Sequence, residues 1–256
     1  MVKQRPQHPA RINSPRSDAA SGRRAPARIR ALYDRLAAAW GPQSWWPAKT
    51  PFEVIVGAYL TQNTAWKSVE RSIANLEAHG ILSIDGLRRI PEERLREHIR
   101  PSGFMLRKAA ALKAFVAFLD ADYQGRIESL RDAARPSPAT VREQLLTLPG
   151  VGPETADAIL LYALDAPAMV VDTYLRRVVT RHGLAPERAS YTAIQSLAEA
   201  AFAPHPLPDP PGERTRHYNE FHALFVQVGK EFCGPVARCE NCPLRFDLPR
   251  ARRHSP

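Results

Sequence analysis

The chain has 256 residues, 44% of them hydrophobic, and carries 36 Lys and Arg against 26 Asp and Glu, a formal net charge of +10. That length suits one or two domains whose core folds without staples, and no apolar run is long enough for a membrane span. The three cysteines all lie between positions 233 and 242, which speaks against a disulfide scaffold and for metal or cluster ligation in a reducing compartment.

In chain order, residues 1–28 read as a disordered basic tail, rich in Arg, Pro and Ser and lacking the apolar stretch of a secretory signal. Residues 1–30 hold eight Lys and Arg against Asp18, or +7, which leaves +3 for the remaining 226. Two readings of this tail stand: a salt-sensitive attraction to DNA, or a solvated segment without a binding role. Apolar periodicity then predicts helices over 27–40, 52–61, 64–78, 92–99, 105–121, 139–148, 153–164, 173–182, 187–202 and 216–231, with no strand alternation. A proline-rich loop occupies 203–213.

The densest information lies in Leu148-Pro-Gly-Val-Gly-Pro-Glu-Thr-Ala-Asp157. Pro149 and Gly150 stop one helix, and Pro153 opens the next where a missing N–H costs little. The freed amides of Gly150, Val151 and Gly152 would face outward at a helix N-terminus, which suits an anion such as phosphate. Asp172, in Val171-Asp172-Thr173, is also a good helix N-cap.

These segments resemble the helix-hairpin-helix DNA glycosylases of the endonuclease III superfamily. The resemblance covers roughly residues 30–245. It also rests on Pro51-Phe-Glu-Val54, Leu60-Thr-Gln-Asn-Thr64, Gly103-Phe104 with Lys108-Ala109, and His222-Ala-Leu-Phe-Val-Gln-Val-Gly-Lys-Glu-Phe-Cys233. It implies an all-α, two-lobed fold: a helical barrel over 50–165 carrying the hairpin, and a second lobe from 29–49 plus 166–256 carrying a C-terminal iron–sulfur-type cysteine loop. DNA would lie between the lobes.

The resemblance further implies a cytoplasmic, nucleoid-associated, monomeric base-excision enzyme that flips a damaged base from double-stranded DNA. Asp172 would be its catalytic carboxylate, stabilising positive charge on the sugar and orienting water. Gln62 and Asn63 are candidates for the wedge that fills the gap, or for a simple turn. Glu154 stands where the family's lyases carry a lysine. A glutamate cannot form a Schiff base, so a monofunctional glycosylase is expected, with Glu154 a first-turn acid favoured by the helix dipole.

Trp45-Trp46-Pro47 and the run Glu154–Ile159 resemble the 3-methyladenine branch of the family. An indole face favours a cationic alkylpurine by about 0.5–2 kcal/mol, so Trp45 and Trp46 are base-pocket candidates, or ordinary core, with Tyr59 and Trp66 behind them. Cys233, Cys239 and Cys242 suit a [4Fe-4S] cluster. The expected fourth position is Leu248, so Asp247 or His254 could substitute. Zinc on three cysteines and a histidine, or a loop without metal, are the alternatives. Arg238 and Arg245 would make the loop basic. Two other functions stay open: a lyase on oxidised pyrimidines using Lys108 or Lys230, and a damage-binding protein with little catalysis.

Overall fold

The computed structural model describes residues 16–43, 45, 48–202, 210 and 212–248, with side chains from residue 24 onward. It is all-α: among the described residues there is no strand, only one isolated bridge between Cys233 and Ala237. No helix among them is long and apolar enough to cross a membrane.

The helices are α1 (Arg16–Trp40), α2 (Pro51–Leu60), α3 (Trp66–Ala78), α4 (Ile84–Arg89), α5 (Glu92–His98), α6 (Met105–Asp122), α7 (Ile127–Ala134), α8 (Pro138–Leu146), α9 (Pro153–Ala158), α10 (Thr173–Arg181), α11 (Tyr191–Ala200) and α12 (Glu213–Glu231). Residues 159–163 continue α9 as a π-helical turn. Four differences from the sequence expectation have local causes. Helix α1 begins at Arg16, so it runs through part of the segment expected to be a tail. Helices α4 and α7 are six and eight residues long, too short for a periodic signal. Residues 187–190 form a turn, because Ser190 caps α11 by accepting from Ala193 N at 3.1 Å. The single helix expected over 153–164 is divided by its π turn.

Helix α2 shows why these elements hold. Thr50 caps the helix by accepting from Glu53 N at 3.1 Å, and Glu53 Oε2 accepts back from Lys49 N at 2.9 Å, which ties the incoming chain to the first turn. Pro51 sits in the first turn, where its ring is tolerated. Every residue from Phe52 to Leu60 is buried, as expected of an axial helix surrounded by others.

Two apolar clusters form. One draws on α2 to α9, with Ile55, Leu60, Leu112, Phe115 and Ile159 at its heart. The other joins α1 to α10, α11 and α12 through Ile29, Leu36, Leu175, Phe221 and Phe225. The segment after the hairpin belongs to both. Ile159 and Leu160 enter the first cluster, Leu161 the second, and Tyr162 packs against each. The extra residue of a π turn rotates successive side chains relative to an α-helix, which suits a segment shared between two cores. Helices α10 and α12 approach so closely that a Cβ on Gly229 would lie 2.3 Å from the Tyr174 ring.

Candidate active site

The hairpin forms as its glycines and prolines dictate. Gly150 takes φ +78°, and a Cβ there would also press Ala111 Cβ at 3.2 Å. Val151 N donates to Leu148 O at 3.2 Å to close the turn. Gly152, Pro153 and Glu154 are exposed, while Val151 is tucked into the core. Gln62 ties the turn after α2 to the hairpin: its Nε2 donates to Gly150 O at 2.7 Å and to Thr155 Oγ1 at 3.0 Å. Asn63 is exposed beside it, in the left-handed region at φ 51°.

Lys108 holds that turn from below. It is buried, and its Nζ donates to Leu60 O (2.8 Å), Thr64 Oγ1 (2.6 Å) and Ser102 O (2.8 Å). Burial pushes its ammonium down to about 8. Its three protons are committed to oxygens of the turn after α2 and of the loop at Ser102, so Lys108 braces the one against the other. The loop it braces carries Phe104, 58% exposed and at positive φ, an apolar side chain presented to solvent that sequence reasoning did not single out.

Asp172 caps α10: its Oδ1 accepts from Leu175 N at 2.7 Å. The residue is buried, and its Oδ2 lies 3.6 Å from His222 Nε2 of α12. His222 is itself buried, its Nδ1 is 2.6 Å from Tyr162 OH, and its Nε2 has no hydrogen-bond partner. Burial and the negative charges of Asp172 and Glu220 raise Tyr162 well above its ordinary value, so the phenol keeps its proton. Tyr162 and His222 were not foreseen as site residues. The signal was a polar His at the head of an otherwise apolar helix face.

Glu154 faces the same group. Its residue is open to solvent on one side, but protein crowds its carboxyl. That burial, then the charge of Asp172, pushes it up to about 7. Two carboxyl groups thus share one field, and the charge of Asp172 adds to the burial that favours the protonated form of Glu154.

Asp157, three residues beyond Glu154, has a different environment. It is fully buried. Its carboxylate accepts from Arg142 Nε (2.5 Å) and Nη2 (3.1 Å), Tyr191 OH (2.8 Å) and Gln195 Nε2 (2.8 Å). Gln195 also donates to Met169 O at 2.9 Å, and Tyr191 OH accepts from Val171 N at 3.2 Å. This network joins α8 and α9 to α11 and grips the backbone just before Asp172.

The aromatic candidates scatter. Trp45 is half-buried, with Lys230 Nζ 5.1 Å from its ring centre. Trp46 lies outside the described residues. Tyr59 is sealed inside the first core against Phe115, so it cannot contact a base. Trp66 lines a groove with Glu53, Glu70 and Glu77, a setting that repels phosphates.

Cys233, Cys239 and Cys242 line one cavity of about 130 Å³, walled by Val178, Val228, Leu244 and Leu248. Arg181 Nη1 lies 3.2 Å from Cys233 Sγ, and burial pushes the Cys242 thiol up to about 11. Among the described residues no three Cys, His, Asp or Glu side chains converge as a group able to hold one metal ion. The thiols instead line a shared space. Leu248 offers no donor at the fourth. Asp247 is not its substitute: its carboxylate accepts from Arg28 Nε (2.9 Å) and Nη2 (2.8 Å) and meets His182 Nδ1 at 2.9 Å. His254 lies outside the described residues.

A family model described as "HhH-GPD superfamily base excision DNA repair protein" matches residues 56–204. A protein of Methanocaldococcus jannaschii named as a DNA repair glycosylase is 42% identical over 84% of this chain and 92% of its own length. The Helicobacter pylori 3-methyladenine DNA glycosylase, solved with 1,N6-ethenoadenine bound, is 29% identical with a TM-score of 0.68, covering 80% of this chain and 97% of that one. A trapped endonuclease III–DNA covalent intermediate gives a TM-score of 0.71 over 89% of this chain and 96% of that one, at 23% identity, a likeness of fold alone.

Proposed function

Because this chain belongs to the HhH-GPD superfamily of base excision DNA repair proteins, we propose that it is a monofunctional DNA glycosylase for purines alkylated at a ring nitrogen, such as 3-methyladenine. The observation that carries this reading is Asp172: a buried carboxylate with one oxygen fixed by a backbone amide and the other without a hydrogen bond, in a site whose hairpin position is held by Glu154. As the glycosidic bond breaks, Asp172 stabilises the cationic sugar, and it then takes a proton from the attacking water. The departing base leaves with the bonding pair. A base already cationic needs no acid to do so.

The hairpin amides of Gly150 to Gly152 anchor a phosphate of the duplex, and Asn63, Gln62 and Phe104 approach the gap left by the flipped base. Trp45 and Trp46 offer the flipped base an electron-rich face. The 3-methyladenine glycosylase of Helicobacter pylori, bound to a modified adenine, supports the purine choice. The engagement of Lys108 with three oxygens and of Lys230 with the Trp45 ring supports the monofunctional reading. Cys233, Cys239 and Cys242 would hold three irons of a [4Fe-4S] cluster, which would brace the loop bearing Arg238 and Arg245 without entering the reaction.

The test is release of free base by the purified protein from duplexes bearing single lesions. Release from 3-methyladenine DNA, without release from thymine glycol DNA and without borohydride trapping on either, is expected. Excision of the oxidised pyrimidine with a trapped adduct would establish the lyase reading instead.

A further inference from the structure

Asp172 has its Oδ1 on a helix amide, and its Oδ2 meets a histidine that the reaction described above does not use. We propose that Tyr162 and His222 form a buried relay that positions Asp172 and holds it ionised for catalysis. This inference rests on the catalytic reading of Asp172.

The geometry sets the direction of the relay. Tyr162 OH and His222 Nδ1 are 2.6 Å apart. The phenol stays protonated over the physiological range, and the relay assigns it the donor's part toward Nδ1. A neutral imidazole accepting at Nδ1 carries its proton on Nε2. That Nε2–H is buried, has no hydrogen-bond partner, and stands 3.6 Å from Asp172 Oδ2. A buried donor without an acceptor is costly. Closure by a few tenths of an ångström gives it one, as catalytic hydrogen bonds do when substrate binds. Donation to the charged carboxylate favours the ionised form.

The same architecture explains why the histidine stays in place. Tyr162 is wedged between the two cores, and His222, buried on α12, faces the Asp172 turn. The arrangement follows the logic in which a third group fixes the tautomer of an imidazole that serves a second. Here the imidazole serves the acid, and the phenol fixes the imidazole. The other charges around Asp172 are Glu154 from α9, Arg176 on its own helix, and Glu220 on α12, which acts on Tyr162.

Two measurements test the relay, one of them independent of turnover. The first is the ¹⁵N spectrum of the imidazoles in the full chain. His222 is expected as the neutral Nε2–H tautomer, with its Nε2 resonance moved by Asp172→Asn and its Nδ1 resonance moved by Tyr162→Phe. A proton on Nδ1, or no response to either substitution, would overturn the relay.

The second is single-turnover base release against pH for His222→Leu and His222→Gln, both in a Glu154→Gln background so that Glu154 does not titrate. His222→Leu should move the acid limb up by about one pH unit, with the largest loss below neutrality. His222→Gln, which keeps a donor, should restore part of it. A uniform loss at every pH, equal in both variants, would mark a packing role and overturn the proposal. No base release by the wild type on any duplex would remove the glycosylase reading, while the imidazole spectrum still decides the relay.

Discussion

Asp157 and Asp172 are both buried acids on the chain's most informative stretch, yet their surroundings differ in kind. Asp157 has no exposed surface and receives four hydrogen bonds from three side chains. Asp172 receives one, from a backbone amide, and faces an imidazole just out of bonding range. A saturated carboxylate has nothing left for a substrate and can only hold structure. A half-satisfied one keeps a lone pair and a field for chemistry. Both sit on the same frame, since Tyr191 bonds Asp157 and Val171 together; the staple fixes the backbone that carries Asp172.

Four substitutions break or sharpen this contrast. The largest effect should come from Asp172→Asn, which removes the charge but keeps a good N-cap. Single-turnover base release should fall by about 10²–10³ or more, while duplex affinity and melting temperature stay close to wild type. Asp157→Ala should do the reverse. It strands Arg142 and two further donors in a buried site, so urea melts should show a loss of about 3–5 kcal/mol. Lys108→Met should cost about 1–3 kcal/mol by leaving the buried Leu60 carbonyl without the Lys108 donor, while Thr64 Oγ1 still donates to Ser102 O, again read from urea melts.

The smallest effect should come from Glu154→Gln. The native carboxyl titrates near 7 and the unfolded one near 4.5, so over that interval the folded chain binds more protons than the unfolded one. Stability therefore falls as pH rises from 4.5 to about 7 and levels off beyond. The variant should flatten that slope in melting temperature against pH. An unchanged slope would show that neither burial nor the charge of Asp172 raises the Glu154 carboxyl.

What could be read from the sequence was local. Gly150, Pro149 and Pro153 announce a hairpin because each restricts φ or removes a donor within a few residues. Asp172 before Thr173 announces a cap for the same reason. The helices with sustained apolar periods were equally plain, whereas α4 and α7 were too short to show one. The polar partnerships were not legible. Tyr162 meets His222 sixty residues away, Lys108 reaches back to Leu60, and Asp157 gathers Arg142, Tyr191 and Gln195. Such contacts are chosen by how two cores pack, and no spacing rule encodes them. Asp157 stood inside the hairpin motif and looked like a family signature, when its environment makes it the staple. Asp247 looked free to serve the cysteine loop until the fold brought Arg28 to it.

The most direct measurement is the product distribution of one turnover on a duplex with a single 3-methyladenine, free base and strand integrity being counted together. Free methyladenine and an intact strand with an abasic site are expected, with the strand left whole on longer incubation. Base release accompanied by an equal yield of nicked strand would contradict hydrolysis with Asp172 as the base and would require an amine nucleophile, which Glu154 cannot be.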